Sequence, residues 1–153
     1  MKINWSGKSH NLNDKEKKYL FNMLDKADVL TQGPELNKFE DSLRSYLGSE
    51  NIFCMSSAAA ALEIISDLLD IKKGDEIIIP AHTYCATAIP FAKKGAKIIW
   101  ADINLKTRTI DVDDVGRKIS KKTKAIVIVD LYGYAVDIRP FKKFGKKIKI
   151  IHD

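Results

Sequence analysis

The strongest constraint on this chain is its rhythm of short, near-continuous apolar runs separated by segments of helical pattern. Ile77-Ile78-Ile79 and Ile126-Val127-Ile128-Val129 show no polar alternation, so both faces of each strand must be covered. The strands predicted on this basis are Asn51–Met55, Glu76–Ile79, Lys97–Ala101, Ala125–Val129 and Ile148–His152. Between them, helical segments run from Ser56 or Ser57 to about Leu69, over Thr83–Lys94 closed by Gly95, over Asp111–Ser120 and over Ile138–Phe144. Strands and helices alternating at this spacing make βαβ units. The expected fold class is therefore α/β, a three-layer αβα arrangement around a mostly parallel sheet.

A different pattern precedes this region. Asn13 with Glu16 forms a capping-box signature, and Leu20, Phe21 and Leu24 give one apolar face to a helix from about 14 to 26. Thr31-Gln32-Gly33-Pro34 is a turn; Pro34 opens a second helix carrying Leu36, Phe39, Leu43 and Leu47, and Gly48 closes it as a left-handed cap. The organisation expected is a helical arm over 1–48 and an α/β domain over 49–153.

Composition narrows the function classes. With 153 residues and 45% hydrophobic content the chain can bury a real core. The net charge of +6 does not mark a nucleic-acid binder. Its lysine clusters, Lys121 to Lys124 and Lys142 to Lys147, fall at helix ends or in loops before strands, and no aromatic residues interleave with them as a stacking platform. Cys54 and Cys85 lack CxxC spacing and read as reduced thiols packed as small hydrophobes in a cytoplasmic protein. Met1–Gly7 has no apolar core of a signal peptide, and the uncharged stretch Ile77–Ala92 is broken by Pro80 and Pro90. It falls short of the roughly 20 residues of a membrane span. A soluble cytoplasmic protein without membrane or nucleic-acid partners is expected.

Three constellations carry the chemistry, all beyond the carboxyl ends of strands, where open α/β sheets bind ligands. Ser56-Ser57-Ala58-Ala59-Ala60-Ala61-Leu62 starts a helix with small side chains and exposed N–H groups, a cradle for a phosphate. In isolation it is also a common structural element, and neither GxGxxG nor GxxxxGK[ST] is present. Pro80-Ala81-His82-Thr83-Tyr84-Cys85-Ala86-Thr87-Ala88 sets Tyr84 at the top of the sheet, where its ring could cover a flat cofactor or pack in its own helix. Asp153 is a strand-end carboxylate, a surface residue unless something cationic sits opposite.

Taken in order, these motifs resemble the DegT/DnrJ/EryC1/StrS family of pyridoxal 5'-phosphate (PLP) sugar aminotransferases. Thr31-Gln32-Gly33-Pro34 with Phe39-Glu40, then Ser57 to Leu62, are the first matching blocks. Gly74-Asp75-Glu76-Ile77-Ile78-Ile79-Pro80 with Thr83-Tyr84 and Ala86-Thr87-Ala88 is the most specific. Gly95-Ala96, Asp102, Thr123-Lys124-Ala125-Ile126, Leu131-Tyr132-Gly133, Asp137 and Ile150-Ile151-His152-Asp153 continue it.

The resemblance implies the large domain of the aspartate-aminotransferase-like fold (fold type I), incomplete at its C-terminus, with 49–153 as its first part. It implies PLP as cofactor: Ser57, Ala58 and Ala59 at the phosphate, Tyr84 stacked on the ring, and Asp153 against the pyridine nitrogen. Such an aspartate keeps the nitrogen protonated, so that the ring accepts electrons. A nucleotide-linked keto-sugar and an amino-acid donor such as glutamate would be the substrates, and the full-length form would be a homodimer.

Three departures stand out. Ala58-Ala59 replaces the family's glycine and threonine, Asp130 stands where many relatives place histidine, and no lysine here has the context of the Schiff-base lysine. No catalytic residue and no metal ligand are therefore assigned, and the chain alone is expected not to transaminate. Alternatives are a PLP-dependent sugar dehydratase of the same family, an inactive truncated product, a subunit completed by a second chain, or a small nucleotide-binding module.

Overall fold

The computed structural model describes residues 12–145 and 147–153. The expectations placed on Met1–Gly7 and on Lys146 lie outside the described residues. The chain divides into two compact units, Met1–Cys54 and Met55–Asp153.

In the first unit, α1 (Asp14–Lys26) begins at the expected capping box. The Glu16 N–H donates to Asn13 Oδ1 at 2.9 Å and the Asn13 N–H to Glu16 Oε2 at 2.7 Å. Helix α2 (Pro34–Leu47) starts on Pro34 and ends at Gly48, whose φ of 63° is left-handed. Neither helix buries a residue. The strand expected at Asn51–Met55 does not form. Side chains of α2 satisfy its main chain instead: the Cys54 N–H donates to Glu40 Oε1 at 2.9 Å, and the Arg44 guanidinium donates to the carbonyls of Glu50 and Ile52. An apolar run with its polar groups capped by a helix needs no ladder.

In the second unit, α3 (Ala58–Leu68), β1 (Glu76–Pro80), α4 (Ile89–Lys93), β2 (Lys97–Ala101), α5 (Val112–Lys118), β3 (Thr123–Ile128) and β4 (Lys149–His152) follow in order. All strand pairs are parallel, in the order β2-β1-β3-β4. The apolar strands split their side chains between two cores. Ile77, Ile79, Ala125 and Val127 pack with Leu62 of α3 and Phe91 of α4, whereas Ile78, Ile126 and Ile128 pack with Val115 of α5 and with Phe141. The isoleucines of β1 and β3 are fully excluded from solvent, each worth about 1.5–3 kcal/mol of burial. Helices on both faces of a parallel sheet make the three-layer α/β architecture expected.

Two helices differ from expectation. Thr83–Lys94 is not one helix: a 3-10 turn at Cys85–Thr87 precedes α4, and Pro90 sits in the first turn of α4. Proline lacks an N–H and clashes with the carbonyl four residues back, so a helix from Thr83 cannot run through it. Arg139–Phe144 is 3-10 rather than α, with Pro140 at its start. Gly95 ends α4 at φ 83°, and a Cβ there would meet Lys73 Cα at 3.2 Å. Both cysteines are free, but Cys85 is exposed rather than packed, because the 3-10 turn faces it outward. No helix among the described residues is long and apolar enough to cross a membrane.

Candidate functional site

The sheet carries its own switch point. After β1 the chain crosses to β2 on one side, then returns to place β3 on the other. Crevices outside the carboxyl ends of strands at such a reversal are where α/β folds bind ligands. A cleft of about 430 Å³ lies there, lined from four segments: the start of α3, the loop and turn after β1, residues 129–132 after β3, and Asp153 after β4. Ser57, Ala58, Ala59, Tyr84 and Asp153 all line it.

Each segment brings a distinct chemistry. Ser57 caps α3, its Oγ accepting the Ala60 N–H at 3.1 Å. The N–H groups of Ala58 and Ala59, in the first turn, have no acceptor among the described residues and remain open donors beside the positive end of the helix. The Ser57 hydroxyl hydrogen also remains available, since the cap uses only its oxygen. Both alanines lie in ordinary right-handed helix, so the replacement of glycine costs no backbone strain here.

Tyr84 precedes the 3-10 turn with an extended backbone and is 72% exposed. It does not pack in a helix of its own; its ring stands at the cleft. Asp153 is tied by its main chain: its N–H donates to the Ile128 carbonyl at 2.8 Å, and its carbonyl accepts the Asp130 N–H at 3.0 Å. Its Oδ2 accepts from Thr87 Oγ1 at 2.7 Å. Among the described residues no cationic side chain lies within 4.0 Å of this carboxylate.

Asp130 lines the cleft as well. Its Oδ1 lies 2.9 Å from His152 Nε2 and accepts the Val136 N–H at 2.9 Å. Burial pushes the Asp130 carboxyl up, but the His152 hydrogen bond and the Val136 N–H outweigh it and hold its pKa below the usual value. Two residues on, Tyr132 has a left-handed backbone at φ 57° beside Gly133 at φ 81°. Sequence reasoning assigned no role to Thr87, Asp130, Tyr132 or His152. For Thr87 a signal existed, a hydroxyl within Ala86-Thr87-Ala88; the pairing of Asp130 with His152 had none, since it joins the ends of two strands.

A helix N-terminus with free N–H groups, an exposed aromatic ring and a cation-free carboxylate thus converge on one small cleft. That donor set suits a flat ligand carrying a phosphate and a ring cation. The sequence matches the model of the DegT/DnrJ/EryC1/StrS aminotransferase family over residues 11–153, and the chain belongs to that family. It is 34% identical to GDP-perosamine synthase of Vibrio cholerae over 131 residues, 86% of this chain and 36% of that protein. It is 35% identical to UDP-2-acetamido-2-deoxy-3-oxo-D-glucuronate aminotransferase of Pseudomonas aeruginosa over 123 residues, 79% of this chain and 34% of that protein. The chain therefore spans about a third of the length of these curated relatives. Among solved structures, Escherichia coli GDP-4-keto-6-deoxy-D-mannose-3-dehydratase with bound hydrated PLP superposes with a TM-score of 0.86 at 28% identity, over 95% of this chain and 39% of that one.

Proposed function

We propose that this chain forms part of a PLP-dependent aminotransferase acting on a nucleotide-linked keto-sugar in surface polysaccharide or aminosugar biosynthesis. The amino donor would be an amino acid such as glutamate, leaving as its keto acid while the sugar carbonyl becomes an amine. The observation that carries the reading is the convergence of three complementary groups on the cleft at the sheet's switch point. In this proposal residues 1–48 are a helical arm and 49–153 the first part of the cofactor-binding domain of a cytoplasmic homodimer. The apolar residues Leu20, Phe21 and Leu24 exposed on α1 support a partnered role for the arm.

When bound, PLP supplies an electron sink for amino transfer. The chain's own residues bind and orient. The N–H groups of Ala58 and Ala59 and the Ser57 hydroxyl would hold the phosphate, where the helix dipole favours an anion. Tyr84 would cover the ring and exclude water from one face. Asp153 would hold a proton on the ring nitrogen, an assignment supported by its lack of a cationic partner.

The test is a PLP titration of the protein expressed from its complete gene, read by absorbance. Saturable binding is expected, weakened at least about tenfold by Asp153→Asn, the effect of removing a charge-assisted pair. Equal affinity of variant and wild type would overturn the assignment of Asp153. The superposition on the dehydratase favours a second reading, loss of a sugar hydroxyl rather than amination. Mass spectrometry of the sugar product separates them: amination replaces the carbonyl oxygen of the sugar with an amine and yields equimolar keto acid, whereas dehydration removes a hydroxyl oxygen and adds no nitrogen to the sugar.

A further inference from the structure

We propose that Thr87, supported by Thr83, is a positioning residue that fixes the Asp153 carboxylate toward the cofactor ring; this rests on the reading of the cleft given above. Thr87 is 3% exposed and sits at the junction of the 3-10 turn and α4. Its Oγ1 donates to Asp153 Oδ2 at 2.7 Å, across 66 residues of sequence. Thr83 Oγ1 lies 3.0 Å from Thr87 Oγ1. A carboxylate only accepts, and a hydroxyl has one hydrogen. The single Thr87 hydrogen is therefore committed to Asp153, and the second bond must run from the Thr83 hydroxyl to the Thr87 oxygen. The chain of donation has one direction: Thr83 to Thr87 to Asp153.

This direction matters for the free end. The Asp153 main chain is fixed on both sides by Ile128 and Asp130, which leaves rotation of the carboxyl group as its remaining freedom. The buried Thr87 hydroxyl removes it by binding Oδ2. Oδ1, without a hydrogen-bond partner among the described residues, is then left for a ligand. Hydrogen bonds in a chain polarise one another, so Thr83 strengthens the Thr87 donor. A buried hydroxyl with no such duty would carry a desolvation cost that valine, nearly the same shape, would not.

The experiment measures dissociation constants for PLP and for its carbocyclic analogue, in which C–H replaces the ring nitrogen, in the protein expressed from its complete gene. Thr87→Val is expected to weaken PLP roughly tenfold, the scale of a hydrogen bond to a charged group, and to leave the analogue within twofold. Thr87→Ser, which keeps the hydroxyl, restores PLP affinity, and Thr83→Val gives a smaller loss of the same selectivity. Equal losses for both ligands in Thr87→Val, or no rescue by serine, would show a merely structural threonine and overturn the proposal. Asp153→Asn separates the two levels. If it too fails to distinguish PLP from the analogue, the ring-nitrogen reading itself is wrong. If it distinguishes them and Thr87→Val does not, only the positioning role falls.

Discussion

Two aspartates of the second unit meet the same element types and end in opposite conditions. Asp114, on α5, is buried and both its oxygens are engaged: Oδ2 accepts the Asp102 N–H at 2.7 Å and Lys118 Nζ at 2.6 Å, and Oδ1 accepts from Arg117 at 3.0 Å. Asp153, at the end of β4, has one hydroxyl donor and no cation within reach among the described residues. Asp114, buried and paired with two cations, ties the end of β2 to α5. Asp153 is held in place but left without a cationic partner among the described residues, in keeping with the proposed role of receiving a ring cation. Saturation of a carboxylate, rather than its burial alone, separates a structural knot from a binding group.

The sharpest way to break this contrast is to remove each carboxylate in turn. Asp114→Ala leaves the Asp102 amide without its partner and two cations unpaired, and should lower stability by about 2–3 kcal/mol. Asp153→Asn should change stability by no more than about 0.5 kcal/mol, since the amide oxygen still accepts from Thr87. Urea unfolding of both variants reads the difference. A larger loss in Asp153→Asn than in Asp114→Ala would reverse the assignment of roles.

Acid should distinguish them in the same direction. The hydrogen bond from Lys118, then the Asp102 N–H, with Arg117 adding to both against the cost of burial, lower the Asp114 pKa from 3.8 to about 2. The folded state therefore binds this proton more weakly than the unfolded chain does. The stabilisation from Asp114 is complete above the unfolded value and is lost as pH falls from about 4 toward about 2. Urea midpoints at a series of pH values should show wild type losing more stability across that window than Asp114→Ala. Parallel curves would remove Asp114 as a source of acid sensitivity.

Much of this was legible in the sequence, for identifiable reasons. Ile77–Ile79 and Ile126–Val129 could be read as doubly covered strands because continuous apolar runs have few other solutions, and Asn13 with Glu16 is a local signal that folds locally. The cleft was legible because ligand sites follow strand ends, and the motifs marked three of its four walls. Two of the failures were non-local and one was local. Asn51–Met55 looks like a strand, but Glu40 and Arg44 of the preceding helix take up its polar groups. Pro90 divides a segment whose composition is otherwise helical. The pairing of Thr87 with Asp153 joins residues 66 apart, and no local pattern announces it.

The smallest effect gives the finest division between holding the fold and holding a ligand, because at Ser57 one hydroxyl would serve both. Its oxygen caps α3, and its hydrogen is the proposed phosphate donor. Ser57→Ala removes both functions and should cost about 1 kcal/mol, the usual worth of such a cap. Ser57→Asp keeps the cap, since aspartate caps as well as serine and its charge suits the helix dipole. Yet it sets a negative charge where the phosphate would lie. The aspartate variant should therefore be at least as stable as wild type in urea while binding PLP more weakly than the alanine variant does. Pyridoxal, which lacks the phosphate, should be far less affected by the aspartate. If Ser57→Asp binds PLP as well as wild type, the phosphate does not lie at the start of α3, whatever the cap contributes to stability.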